Sequence, residues 1–137
     1  MLYVGIDLGT SAVKLLLMDG AGKIQKIVSK EYPLYFPNPG WSEQNPEDWY
    51  EKSMEGLKEL LADCDKSQVA GISFGGQMHG LVILDKEDQV IRPAILWNDG
   101  RTGEETDYLN HVIGKDKLSA YTANIAFAGF TAPKILW

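Results

Sequence analysis

The chain has 137 residues, 45% hydrophobic and 23% charged, which is enough for one globular core. Its 13 Lys and Arg stand against 19 Asp and Glu, a net charge of -6, and the cations are scattered; this excludes the phosphate-neutralising surface that nucleic acid requires. Apolar runs such as residues 15–18 are far too short to span a membrane, and Cys64 has no second cysteine to pair with, so no membrane partner is expected and the setting is reducing and cytoplasmic.

Leu2, Val4 and Ile6 alternate with residues that can face the other way, and the run breaks into Gly9-Thr10-Ser11. This pattern predicts a buried strand feeding a tight turn. Asp7 at that strand end is a hard oxygen ligand suited to Mg²⁺ or its waters, and Gly9 lets the turn's amides approach a phosphate, with Thr10 and Ser11 adding hydroxyls. The alternative is a plain turn in which Asp7 bonds only to nearby backbone. Residues 12–19 form a second strand ended by Asp19-Gly20-Ala21-Gly22, and a more polar third strand is expected over 23–32. Three consecutive antiparallel strands before any helix point to an α+β or mixed α/β layer fold.

Pro37, Pro39 and Gly40 open a loop over residues 37–46, in which Trp41 is either a lid or a packing residue. Asn45 as N-cap, then Pro46, Glu47 and Asp48, start a helix expected to reach about residue 62. Trp49, Ser53, Leu57, Leu60 and Leu61, with Met54 alongside, make its buried stripe. A strand over 69–74 follows, and the strand-helix-strand order suggests a parallel crossover. Cys64, between Asp63 and Asp65, reads as a small apolar filler, because neighbouring carboxylates oppose thiolate formation.

That strand breaks into Gly75-Gly76-Gln77-Met78-His79-Gly80, where glycines allow unusual backbone angles and close approach of a ligand. His79 is either a satisfied structural histidine or a ligand contact, and its place between glycines favours contact. An apolar strand is expected over 81–84 and a charged turn over 86–89. His111 reads as exposed, and the two histidines share no metal-ligand spacing, which excludes zinc. A short strand at 95–96 ends in Trp97-Asn98-Asp99-Gly100-Arg101-Thr102. An indole beside an amide and a carboxylate suits a sugar or polyol: the ring covers the C–H face while Asn98 and Asp99 take hydroxyls. Asp99 can equally be the N-cap of a helix expected over 101–112. Further helices are expected near 116–121 and from 131. A fresh helix start carrying Ile135, Leu136 and Trp137 reads as the front part of a longer protein.

Three separated motifs agree: Gly5-Ile6-Asp7-Leu8-Gly9-Thr10-Ser11 with Val13-Lys14, Gly75-Gly76-Gln77-Met78-His79-Gly80, and the stretch from Pro93 to Thr102. Together they resemble the N-terminal domain of the FGGY carbohydrate kinases. Trp41-Ser42-Glu43-Gln44 and Gly129-Phe130-Thr131-Ala132-Pro133-Lys134 are similar to that family too, so the resemblance covers essentially the whole chain. The Gln77-Met78-His79 form with Trp97-Asn98-Asp99 is most similar to members acting on D-xylulose.

The resemblance implies a ribonuclease-H-like (actin/hexokinase-type) ATPase fold: a mixed sheet with antiparallel first three strands and flanking helices, paired with a second domain around a cleft. It implies transfer of the ATP γ-phosphate, with Mg²⁺, to a ketopentose, D-xylulose before ribulose or glycerol. Residues 1–137 would be the sugar-binding half, incomplete, with the C-terminal domain absent. Asp7 would hold Mg²⁺ at the reacting phosphate; Gly9, Thr10, Ser11 and Lys14 would face the ATP phosphates; Gln77, Met78, His79, Trp97, Asn98 and Asp99 would line the sugar pocket. The general base and the adenosine-binding glycines would lie in the second domain, so this chain alone is expected to be inactive. The implied partner is a small-molecule sugar, and the resemblance allows a homodimer of the full-length protein. Ala123-Asn124 departs from the family, whose members often carry glycine there. A different class, a non-catalytic actin-like nucleotide-binding module, shares the Asp-Gly-Thr turn but would not need the two sugar-like walls.

Overall fold

Alternation in the first residues produces a seven-residue strand, β1 (Leu2–Leu8), in a computed structural model that describes residues 1–137. The chain divides into two units, Met1–Leu34 with Asn45–Gln77, and Tyr35–Gln44 with Met78–Trp137.

In the first unit, β1 pairs antiparallel with β2 (Ala12–Asp19), which pairs antiparallel with β3 (Ile24–Glu31). The chain then crosses through helix α1 (Pro46–Leu60) to β5 (Val69–Gly76), which lies parallel to β1 and completes the sheet order β3-β2-β1-β5. The expected mixed sheet and parallel crossover are both present. Val4, Ile6, Val13, Leu15, Leu17, Val28, Tyr32 and Leu60 form the core, and each fully buried aliphatic side chain contributes roughly 1.5–3 kcal/mol.

The start of α1 follows its sequence signals: Asn45 Oδ1 accepts the Glu47 amide at 3.3 Å, and Pro46 occupies the first turn. Gly56 packs so closely on the sheet that a Cβ there would lie 2.5 Å from Leu15 Cδ1. Met54 does not join the buried stripe and is 37% exposed.

In the second unit, β4 (Glu43–Gln44) pairs antiparallel with β6 (Ala94–Ile95). A two-residue strand thus lies inside the stretch expected to be loop. It forms because Glu43 exchanges both backbone bonds with Tyr35 at 2.9 Å, while the Ser42 carbonyl accepts the Leu96 amide at 3.0 Å. The strand expected over 81–84 is not formed. Leu81 and Leu84 make only isolated bridges, to Ile95 and Val90, because the Asp85 carboxylate takes the Glu87 and Gln89 amides and turns the chain back at once.

The helix expected over 101–112 starts later and is interrupted. Helix α2 (Gly103–Asp107) begins after Thr102, so Asp99 is not its N-cap. The chain then widens into a π-helical stretch, Tyr108–Gly114, continues as α3 (Lys115–Thr122), and turns at Ala123, whose φ is 57°. Helix α4 (Thr131–Leu136) follows. No helix is long and apolar enough to cross a membrane.

Candidate functional site

In the first unit the turn between β1 and β2 is closed by the Gly9 amide on the Ala12 carbonyl at 3.0 Å. A Cβ at Gly9 would sit 3.0 Å from that same oxygen, a tight contact that a side chain could make only if the turn gave by a few tenths of an ångström. Asp7 and Lys14 face each other across the β1–β2 pair, both exposed, and Gly75 lies beside Asp7 on β5. With no side chain at Gly75, the floor next to Asp7 stays open: a Cβ there would be 3.8 Å from Asp7 Oδ1. A cavity of about 400 Å³ opens over Gly5, Asp7, Lys14, Ser73 and Gly75. Thus Asp7, Gly9, Thr10, Ser11 and Lys14 lie together at one end of the sheet. Gln77 reaches the same end, its amide on the Leu8 carbonyl at 2.8 Å.

Tyr32 belongs to this site and was missed by sequence reasoning. Its hydroxyl donates to the Gly9 carbonyl and its amide to the Ser11 carbonyl at 3.3 Å, so it clamps the turn from both ends. Burial, reinforced by the Asp7 charge, pushes its phenol up to about 12, which keeps the donor proton in place. A lone tyrosine ahead of Pro33 carries no motif by which to find it.

In the second unit Met78 is 66% exposed and Trp97 47% exposed, each presenting an apolar surface to solvent. His79 takes a left-handed backbone, φ 64°, and its imidazole stacks on Phe130 with ring centroids 4.2 Å apart. The His79 carbonyl accepts Lys134 Nζ at 2.8 Å and Thr131 Oγ1 at 3.3 Å. Asn98 lines one cavity, of about 430 Å³, with Phe36, Pro39 and Trp41; His79 lines another, of about 280 Å³, with Phe130 and Ile125. Gly129 presses on the Trp97 backbone so tightly that a Cβ would lie 2.2 Å from the Trp97 carbonyl oxygen.

Asp99, expected to offer hydroxyl contacts, is turned inward and is only 2% exposed. Its carboxylate accepts the Ser42 amide at 2.6 Å, the Arg101 amide at 2.9 Å, and the Arg101 guanidinium at 2.9 and 2.7 Å. Burial alone would raise this carboxyl, but the Arg101 guanidinium and the two amides outweigh it and hold it below the usual carboxylate range. Arg101 also pairs with Glu43 at 2.7 Å and lies 3.6 Å over the Trp41 ring. Trp41 is therefore a packing residue, and Asp99 stands behind the Trp97-Asn98 surface.

A sheet of three antiparallel strands and a parallel fourth reached through a helix, with a glycine turn and a carboxylate at the end of the first strand, defines an actin/hexokinase-type ATPase domain. The model of the N-terminal domain of the FGGY family of carbohydrate kinases matches residues 2–137, and the chain belongs to that family. It is 48% identical over 136 residues to the xylulose kinase of Bacillus subtilis, covering 98% of this chain and 27% of that protein. To the xylulose kinase of Staphylococcus xylosus it is 46% identical over 138 residues, covering 100% of this chain and 29% of that one. Among solved structures, a xyloylose kinase from Brucella ovis superposes with a TM-score of 0.92 at 44% identity, covering 100% of this chain and 29% of the other. Plasmodium falciparum glycerol kinase with ADP, at 20% identity, shares the fold with a TM-score of 0.88 over 99% of this chain and 28% of its own. The chain thus spans under a third of the length of these relatives.

Proposed function

We propose that residues 1–137 are the sugar-binding part of the N-terminal domain of an ATP-dependent cytoplasmic kinase that converts D-xylulose to D-xylulose 5-phosphate. The observation that carries this reading is the His79 imidazole, set by a left-handed backbone and ring stacking in the same unit as the exposed Trp97 indole and the Asn98 amide. Relatives 46–48% identical that are named xylulose kinases support the choice of sugar.

In this reading Trp97 and Met78 cover the apolar C–H face of the ketose, and Asn98 and His79 take its hydroxyls. Asp99 acts from behind, keeping the Trp97-Asn98 loop in place through Ser42 and Arg101. At the other site, Gly9 closes the turn with its own amide and so presents Thr10 and Ser11, whose amides and hydroxyls face the transferring phosphate, and Lys14 supplies a cation. Asp7 suits Mg²⁺, which binds one or two carboxylates and keeps several waters and phosphate oxygens. No group of three or more His, Cys, Asp or Glu surrounds it, so the donor set fits Mg²⁺ delivered with a nucleotide rather than a protein-caged metal. When bound, the ion neutralises charge on the phosphates. The general base and adenosine contacts come from a second domain, so the 137-residue chain has no useful turnover.

The test is an NMR titration of the isotopically labelled chain with D-xylulose, D-ribulose and glycerol. Shifts at Met78, His79 and Trp97 with D-xylulose alone are expected. Equal response to all three sugars would remove the choice of xylulose, and ketose-dependent ADP release by this chain near the rate of a complete kinase would sink the claim that it is inactive.

A further inference from the structure

The Gly129-to-Lys134 segment has no part in the chemistry proposed above, yet it converges on His79. Lys134 is 2% exposed, and its Nζ donates to the His79 carbonyl at 2.8 Å and the Gly129 carbonyl at 2.7 Å. Thr131 adds a second donor to the His79 oxygen at 3.3 Å, and Phe130 stacks under the imidazole at 4.2 Å. His79 at φ 64° occupies a region that side chains with a Cβ seldom adopt, so its turn needs external bonds to persist. Burying an ammonium is costly, and Lys134 bears that cost where its two bonds join the His79 loop to the backbone that packs on Trp97.

We propose that Lys134 is a positioning residue for sugar recognition: its buried ammonium ties the His79 and Gly129 carbonyls together and thereby aims the His79 imidazole beside the Trp97 segment. The effect on affinity rests on the sugar-binding reading of His79; the conformational effect stands without it. The groups that reach Lys134 are the His79 carbonyl from the loop after β5, the Gly129 carbonyl just ahead of its own helix, and the Asp99 and Arg101 charges from the loop after β6. Burial pushes the ammonium down to about 8, with Arg101 adding to the fall and Asp99 opposing it. A neutral amine still has donors for both carbonyls, so deprotonation should change their polarisation without releasing the turn.

Carbonyl-carbon NMR of the wild-type chain from about pH 6 to about pH 10 tests this. The His79 and Gly129 carbonyl resonances should move together with a midpoint near 8, and Lys134→Met should abolish that step. In Lys134→Met the His79 amide-to-Hα coupling and Cα shift should leave left-handed values while β1–β2 amides stay put, and D-xylulose affinity should fall on the order of tenfold. Carbonyls without the shared step, or unchanged His79 signals in Lys134→Met, overturn the proposal. Should Lys134→Met not fold, Thr131→Val decides: a smaller displacement of the His79 signals in the same direction supports the clamp, and no displacement overturns it. A wild-type chain that shows the carbonyl step but binds no sugar, even when extended through the second domain, would leave the Lys134 clamp standing and defeat the sugar reading instead.

Discussion

Asp99 and Arg101 hold each other in a two-pronged ion pair, Nε to Oδ1 at 2.9 Å and Nη2 to Oδ2 at 2.7 Å, with side chains 0% and 1% exposed. The same guanidinium reaches Glu43 and lies over Trp41, so one buried cation joins the loop around residue 41 to the loop around residue 99. Removing one partner leaves the other charge buried and uncompensated. Asp99→Ala is expected to cost about 3–5 kcal/mol of stability, and the Asp99→Ala/Arg101→Ala double variant less than the sum of the singles. Urea unfolding of the three variants checks both values; additive losses would mean that the pair is not coupled.

The same pair sets a pH dependence. The folded Asp99 carboxyl is held below its ordinary value, so its contribution is whole above the ordinary carboxylate range and is lost as pH falls through the folded value. Glu55, lowered to about 2 by Lys52 and then Lys30, titrates in the same direction, so the informative quantity is the difference between wild type and Asp99→Asn. The urea midpoint of the wild type should fall more steeply between neutral pH and about pH 3 than that of Asp99→Asn. Parallel curves would contradict this assignment.

Tyr32 governs the alkaline side. Its folded value of about 12 lies above the ordinary 10.0, so its contribution is whole below the ordinary value and lost as pH rises through the folded one. Tyr32→Phe should cost about 1 kcal/mol near neutrality through the lost bond to Gly9, and should remove the alkaline decline relative to wild type. In an enzyme extended through the second domain, it should raise KM for ATP several-fold with little change in KM for the sugar. A change confined to the sugar would show that the clamp does not act on the phosphate turn.

Gly129→Ala would place a Cβ 2.2 Å from the Trp97 carbonyl oxygen, a contact that only backbone movement can relieve. The expected loss is about 1–3 kcal/mol. The Trp97 indole NMR signal should shift while β1–β2 amides remain in place; an unmoved indole would count against the contact.

What the sequence by itself determined is local. The bounds of β2 and the start of α1 follow from alternation of side chains and from Asn45-Pro46 capping, because such signals act over a turn or a strand. The glycine turn at residue 9 and the family motifs were legible for the same reason, whereas Gly75 and Gly76, expected to break the strand after residue 74, continue β5 because the end of β1 offers them a parallel partner at Asp7 and Leu8. Residues 81–84 show where this fails, since an apolar run becomes a strand only if a partner offers a full ladder, and here only bridges form. Tertiary structure alone decided that Asp99 bonds Ser42, 57 positions away, instead of capping a helix. It also brought Lys134 to His79, 55 positions away, and Tyr32 to Gly9, 23 positions away. Those bonds depend on where folding carries distant backbone amides and carbonyls, groups that nearly every residue carries alike, so no side-chain pattern announces them.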